Sequence, residues 1–276
     1  MIPRAYITAW RRTAPWSTDA QVEQDLALSR ALVEIYSDPV LNTQVAFRGG
    51  TALHKLFLRP AFRYSEDIDL VQVDAGAIGP VITALRARLD PWLGEPRRNQ
   101  SEGRMTLIYR FESEIPPITP LRLKVEVNTR EHFAVLGFTK RDVVVDNPWF
   151  SARAQALTYP LEELLGTKLR AFYQRKKGRD LFDLSVALAQ HPDLDRERVI
   201  ECFQRYMEHT GSRVSRAEFE ANLADKMADP VFHGDIEPLL ALTEAVGGAF
   251  DAVQAAEAVM AQLIAKLPGE PWRGAQ

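Results

Sequence analysis

LRLKVEVN (121–128) alternates without a break, with Leu121, Leu123, Val125 and Val127 on one side and Arg122, Lys124, Glu126 and Asn128 on the other. Successive side chains of a strand point to opposite faces, so this stretch reads as a strand with one face in a core and the other open. Working outward, MTLIYRF (105–111) is the strand before it, PPITP (116–120) makes the turn between them, and RDVVVD (141–146) is a further strand. DIDLVQV (67–73) is a strand, and QVAF (44–47) is a short one running into Gly49–Gly50.

Helical spacing surrounds these strands. DAQVEQDLALSRALVEIYSD (19–38) places apolar residues at helical intervals, with Asp19 as its N-cap. TALHKLFL follows the glycine pair and stops at Pro60, and VITALRARLDPWL (81–93) is a helix that Pro91 disturbs. After about residue 150 the pattern turns helical and stays so. PLEELLGTKLRAFYQRKK starts at Pro160 and ends at Gly178, followed by 179–190, 196–208, 215–227 and a long stretch over 235–265. The expectation is an α+β protein: a mixed sheet with flanking helices over 1–150, then an all-helical domain over 151–276. Irregular interleaving of strands and helices argues against a doubly wound sheet.

Composition narrows the class. A chain of 276 residues supports one or two cores, and 46% hydrophobic with 26% charged residues is ordinary for a soluble protein. A net charge of −3 does not advertise a nucleic-acid binder, although patches matter more than totals. Cys202 stands alone, so no intramolecular disulfide forms and a reducing cytoplasm is the expected compartment. MIPRAYITAWRRTAPW lacks a signal peptide's apolar core, and Glu237, Glu244, Asp251 and Glu257 interrupt the most apolar stretch, so no membrane association is expected.

The chemistry concentrates in three places. In SEDIDL (65–70), Asp67 and Asp69 project from one strand face, and two carboxylates so close repel unless a cation lies between them. Oxygen-only anionic ligands suit Mg²⁺ or Mn²⁺, and Glu126, on the polar face of another strand, would complete a triad for two-metal phosphoryl chemistry. In FRGGTALHK (47–55), Gly49, Gly50 and Thr51 lead into a helix whose free N–H groups suit a phosphate. Thr51 is expected to cap that helix and to donate its hydroxyl to the phosphate. GTKLRAFYQRKKGRDLFDL (166–184) carries Lys168, Arg170, Arg175, Lys176, Lys177 and Arg179 with no acid among them, then Asp180 and Asp183 one helical turn apart. Each feature has a plainer reading: a D-x-D pair is often solvated, and Glu126 can pair with Lys124 or an arginine, leaving Lys124 structural. A basic helix end is often only solvated. The histidines show no zinc spacing.

Taken in order, RGGTALHK, SEDIDL, LKVEVNTRE and TKLRAFYQRKKGRDLFDL resemble the AbiEii/AbiGii-type nucleotidyltransferases, the toxin components of type IV toxin–antitoxin and abortive-infection systems. The glycine–threonine loop and D-x-D pair are common to the polymerase-β-like superfamily; the phrase from Lys168 to Leu184 narrows the resemblance, which covers roughly residues 45–190. It implies a nucleotide-binding N-terminal domain, a helical C-terminal domain and a cleft between them. It also implies Gly50, Thr51, Asp67 and Asp69 at a metal–triphosphate centre, with Lys168 toward phosphate and Asp183 holding the lysine. Asp180 competes for that last role, but an Arg179–Asp180 structural ion pair is the preferred reading. The implied reaction moves an NMP from an NTP to RNA, such as the 3′ end of tRNA, under control of a separately encoded antitoxin. Two alternatives stand beside it: a protein nucleotidyl- or phosphotransferase on the same fold, and a catalytically silent nucleotide- or partner-binding module. The intact set of acids argues against the silent module.

Overall fold

The computed structural model describes residues 2–241 and 250–274, which form two compact units. The first runs to Tyr159, with Leu240 and Ala241 returning to it; the second runs from Pro160 to Leu239 and includes residues 250–274.

The first unit begins with helices α1 (Arg4–Trp10), α2 (Asp19–Tyr36) and α3 (Leu41–Gln44). Strand β1 (Val45–Arg48), helix α4 (Gly49–Leu56), strand β2 (Asp67–Gln72) and helix α5 (Gly79–Leu93) follow. Then come β3 (Arg97–Ser101), β4 (Arg104–Glu112), β5 (Pro120–Asn128), β6 (Thr139–Asn147) and β7 (Phe150–Thr158). Helix α2 starts one residue earlier than its expected cap implies. Thr18 accepts from the Gln21 N–H while the Gln21 side chain answers the Thr18 N–H, a reciprocal capping box. Asp19 is therefore the first helical residue, where its charge meets the positive end of the helix.

The seven strands form one mixed sheet in the order β3-β4-β5-β2-β1-β7-β6. Strand β2 pairs antiparallel with β1 and parallel with β5, so the strand bearing the two acids lies near the centre. The alternation of β5 is realised as expected. Leu123 and Val125 are fully buried, as are their β4 neighbours Leu107 and Tyr109, and the Tyr109 hydroxyl donates to Asp90 of α5 at 2.9 Å. Helices thus cover the odd-numbered side of β4 and β5. The even-numbered side carries Lys124 and Glu126.

Two strands differ from expectation. Arg97–Ser101 is exposed along its whole length, so it carries no apolar alternation and is held to β4 by its backbone alone. Phe150–Thr158, expected to begin the helical half, is a strand paired with β6 along its length, and the Thr158 hydroxyl donates to the Phe47 carbonyl of β1 at 2.7 Å. Its inward positions include small alanines, which leave a weak period-2 signal, and cross-strand pairing decides its conformation. With β7 in the sheet, the units divide at Tyr159/Pro160 rather than at 150/151.

The second unit contains α6 (Leu161–Gln174), α7 (Gly178–Gln190), α8 (Arg196–His209), α9 (Arg216–Met227), α10 (Pro230–Gly234) and α11 (Ala252–Gln262) among the described residues. The helix expected to reach Gly178 stops at Gln174, with Arg175 and Lys177 in extended conformations before α7. Gly178 starts α7 because a Cβ there would strike the Phe232 carbonyl oxygen. The buried Lys226 ammonium donates to the carbonyls of Phe172 and Tyr173, satisfying the end of α6. Phe172, Phe203 and Phe232 pack as a ring cluster with Phe219 or with one another. Of the long 235–265 stretch, the described part holds α11 and short 3-10 turns, and residues 242–249 lie outside the described residues. No helix among the described residues is long and apolar enough to cross a membrane.

Candidate active site

The register of the sheet assembles the site in the first unit. Asp67 lies beside Lys124 and Asp69 beside Glu126 across the parallel β2–β5 pair, so all four side chains share the face away from α2 and α5. Antiparallel pairing puts Arg48 of β1 opposite Asp69. Directly after Arg48 the chain turns at Gly49 with φ +83°, and a Cβ at that position would collide with the Asp69 carboxylate. Glycine is therefore needed twice over, for the left-handed turn and for the approach of the acid. Gly50 follows in the first turn of α4, where no side chain caps the free N–H groups.

Thr51 does not cap this helix. It sits in the third helical position, 1% exposed, and its hydroxyl donates to the Asp67 carbonyl at 2.5 Å and lies 2.8 Å from the Ser65 hydroxyl. The helix starts at Gly49 itself, which moves Thr51 inside and turns it toward β2. Its bond fixes the start of the acid-bearing strand.

The acids differ in how their oxygens are used. Burial raises the Asp67 pKa above its ordinary value, outweighing Lys124, whose Nζ lies 3.5 Å from Oδ2; the Asp69 charge pushes the same way as burial. Asp67 Oδ1 is buried with no hydrogen-bond partner among the described residues. Glu126 is ion-paired at both ends: Oε2 lies 2.9 Å from Lys124 Nζ and Oε1 3.0 Å from Arg104 Nε. Burial alone would lower the Lys124 pKa, but Glu126 and the Asp67 charge hold it above its ordinary value. Nearby, Arg48 is ion-paired with Glu131. The expected three-carboxylate cage is not assembled among the described residues, because Glu126 is drawn to the two cations instead. What remains is a dyad, Asp67 and Asp69, with one unsatisfied buried oxygen. That donor set fits Mg²⁺ or Mn²⁺, which bind through one or two carboxylates together with substrate phosphates.

The remaining motif residues form a cluster within the second unit. The Lys168 ammonium, 6% exposed, sits 2.8 Å from Asp183 Oδ2 and 3.0 Å from Asp180 Oδ1. Asp180 is also gripped at 2.6 and 2.7 Å by the Arg175 guanidinium. Asp180 is thus a structural ion-pair residue, but its partners are Arg175 and Lys168 rather than Arg179. Burial would raise its pKa, and Lys168 and Arg175 hold it below the ordinary carboxylate value. Arg175 belongs to the basic run noted in the sequence, without its Asp180 partner, whereas Arg104 becomes visible only when β4 is laid beside β5.

A mixed sheet carrying a D-x-D pair on a central strand, beside a glycine turn that opens a helix, defines a nucleotidyltransferase. The chain belongs to the family of nucleotidyl transferase AbiEii toxins of type IV toxin–antitoxin systems, whose model matches residues 30–260. No curated protein sequence matches it. Among solved structures it is similar to MenT4, a nucleotidyltransferase toxin from Mycobacterium tuberculosis H37Rv, at 15% identity over 97% of this chain and 91% of that one, with a TM-score of 0.62. It is also similar to JHP933 from Helicobacter pylori, at 21% identity over 90% and 93% of the two chains, with a TM-score of 0.50. At such identities the likeness shows the fold.

Proposed function

We propose that this nucleotidyltransferase moves an NMP from an NTP onto an RNA hydroxyl, with the 3′ end of tRNA as the acceptor, and so stops translation. The observation that carries the reading is the dyad: two carboxylates on one strand face, one oxygen buried and unsatisfied, pressed against a left-handed glycine turn. In the reaction the acceptor oxygen bonds to the α-phosphorus, the bond to the bridging oxygen breaks, and pyrophosphate leaves with the acceptor's proton lost to solvent. Asp67 and Asp69 would hold the divalent ion. When bound, Mg²⁺ or Mn²⁺ supplies charge against the triphosphate and lowers the pKa of the attacking hydroxyl. Gly49, Gly50 and the open first turn of α4 would receive phosphate oxygens on backbone N–H groups. Thr51 would act from beneath, fixing the Asp67 backbone. Lys168 and Asp183 are proposed for catalysis on the strength of the motif alone, Lys168 toward phosphate and Asp183 holding it.

An RNA acceptor is supported by charge on the dyad's own sheet face. Register places Arg97, Arg104, Arg110 and Arg122 on the same side as Asp67, all exposed, and so offers a local cationic surface despite the net charge of −3. The reading requires the cytoplasm, where nucleotides and RNA lie, and a separately encoded antitoxin to restrain the activity.

The test incubates purified protein with Mg²⁺, total RNA and each α-labelled NTP in turn, beside an Asp69→Ala control. Label entering a discrete RNA band, and absent from the control, is the expected result. Label found only in protein would replace the acceptor with a polypeptide. NTP binding without transfer to either acceptor would favour a silent module.

A further inference from the structure

We infer that Lys124 is a positioning residue that serves as a built-in cation of the dyad, so that the nucleotide-free chain takes one divalent ion at Asp67 and Asp69 and Glu126 anchors the lysine rather than the metal. This rests on the nucleotidyltransferase reading of the dyad and deepens it.

Three carboxylates face the same side of β2 and β5, and a single lysine lies among them. Its Nζ reaches Glu126 Oε2 at 2.9 Å and Asp67 Oδ2 at 3.5 Å. Register makes this arrangement durable, because Lys124 is the direct neighbour of Asp67 and Glu126 that of Asp69. Arg104 Nε lies 3.0 Å from the far oxygen of Glu126, so a metal at Glu126 would have to displace two ion pairs. A divalent ion between Asp67 and Glu126 would also sit against the ammonium that already bridges them, and like charges at that range repel strongly. The buried, unpartnered Oδ1 of Asp67 is left as an available donor, beside Asp69. Lys124 and Arg104 are both engaged with Glu126 and offset its charge, which leaves the Asp67–Asp69 pair as the place for one hard cation.

Lys124 therefore orients Asp67 and keeps Glu126 out of the metal's shell. The test is a Mn²⁺ titration of the nucleotide-free protein, reading free Mn²⁺ by electron paramagnetic resonance, with thermal melts to confirm folding. Wild type should bind one Mn²⁺, Asp69→Asn should lose it, and Glu126→Gln should keep it, weakened by no more than about tenfold. Lys124→Met should tighten Mn²⁺ by about tenfold, the effect of deleting one positive charge a few ångströms from the ion, while Lys124→Arg should restore wild-type behaviour. In the double variant Lys124→Met/Glu126→Gln, part of that gain should vanish, because freed Glu126 is what adds to the site.

Glu126→Gln weakening Mn²⁺ as severely as Asp69→Asn would overturn the inference, and so would two ions in wild type or an unchanged Lys124→Met. These results concern the lysine alone, since the label-transfer assay judges the reaction separately. Wild-type protein binding no Mn²⁺ would overturn this inference together with the metal role of the dyad.

Discussion

Asp180 is fully buried and Asp67 half-buried, and their surroundings act on them in opposite directions. Asp180 accepts from Arg175 through both oxygens and from Lys168 through one, which holds its pKa below the ordinary value of 3.8. Asp67 has one lysine at 3.5 Å that it shares with Glu126, an adjacent like charge and an oxygen with no partner, and its pKa is raised from the same 3.8. Taking one partner from a fully matched buried charge is costly, whereas a carboxylate left short of partners is a candidate functional group. Asp180 is of the first kind. Asp67, with its unpartnered Oδ1, is of the second.

The sharpest way to break this contrast is to neutralise an acid on each side. Asp69→Asn should lower nucleotidyl transfer on the order of 10³-fold, as expected when a charge-stabilising group is lost, with folding intact by circular dichroism. Asp180→Ala should do the reverse, lowering stability by about 1–3 kcal/mol because it takes Arg175's partner away and leaves the buried Lys168 with Asp183 alone. A urea unfolding curve measures that loss. Equal damage to stability from both changes would erase the distinction.

Gly49→Ala comes next. It combines a left-handed φ, costing about 1–2 kcal/mol for a residue with a Cβ, with a collision against the Asp69 carboxylate. Reduced stability together with impaired Mn²⁺ binding is expected, and calorimetry reads both.

Titration sharpens the comparison by sign. For Asp180 the folded pKa is depressed, so its stabilisation is complete above the unfolded value of 3.8 and is lost as pH falls through the folded pKa. For Asp67 the folded pKa is raised, so its contribution is most favourable below 3.8 and is lost as pH climbs through the folded pKa. Asp67→Asn should therefore melt above wild type at neutral pH without metal, and the gap should close as pH falls toward 3.8. Added Mg²⁺ should stabilise wild type and leave the variant unmoved.

The smallest effect belongs to the arginines beside the dyad. Arg97→Gln with Arg110→Gln should weaken binding of a short labelled RNA and reduce its log–log salt slope by about two, one per phosphate contact, with Mn²⁺ binding unchanged. An unchanged slope would move the acceptor to another surface.

Much of this was legible in the residues. The alternation of 121–128 located a half-buried strand, D-x-D put two acids on one face, and the glycine pair before a helix marked a turn of unusual geometry. These are short-range properties, set by the two-residue period of a strand and by the lack of a Cβ. The α+β class followed from them, and the motif order gave the family.

Tertiary pairing decided the rest. β3 and β7 carry little apolar period and are strands because a neighbour's backbone satisfies theirs. The fate of Glu126 depended on which cations lay within 3 Å, and Arg104 reached it from a strand twenty-two positions earlier, through register that no local pattern contains. Thr51 turned inward because the helix began at Gly49, a choice made where strand β1 meets the carboxylate of β2. A residue's type and spacing fix which groups can be charged and which way they point. Whether a charge finds its partner depends on distances of a few ångströms between segments far apart in the chain, and packing alone sets those.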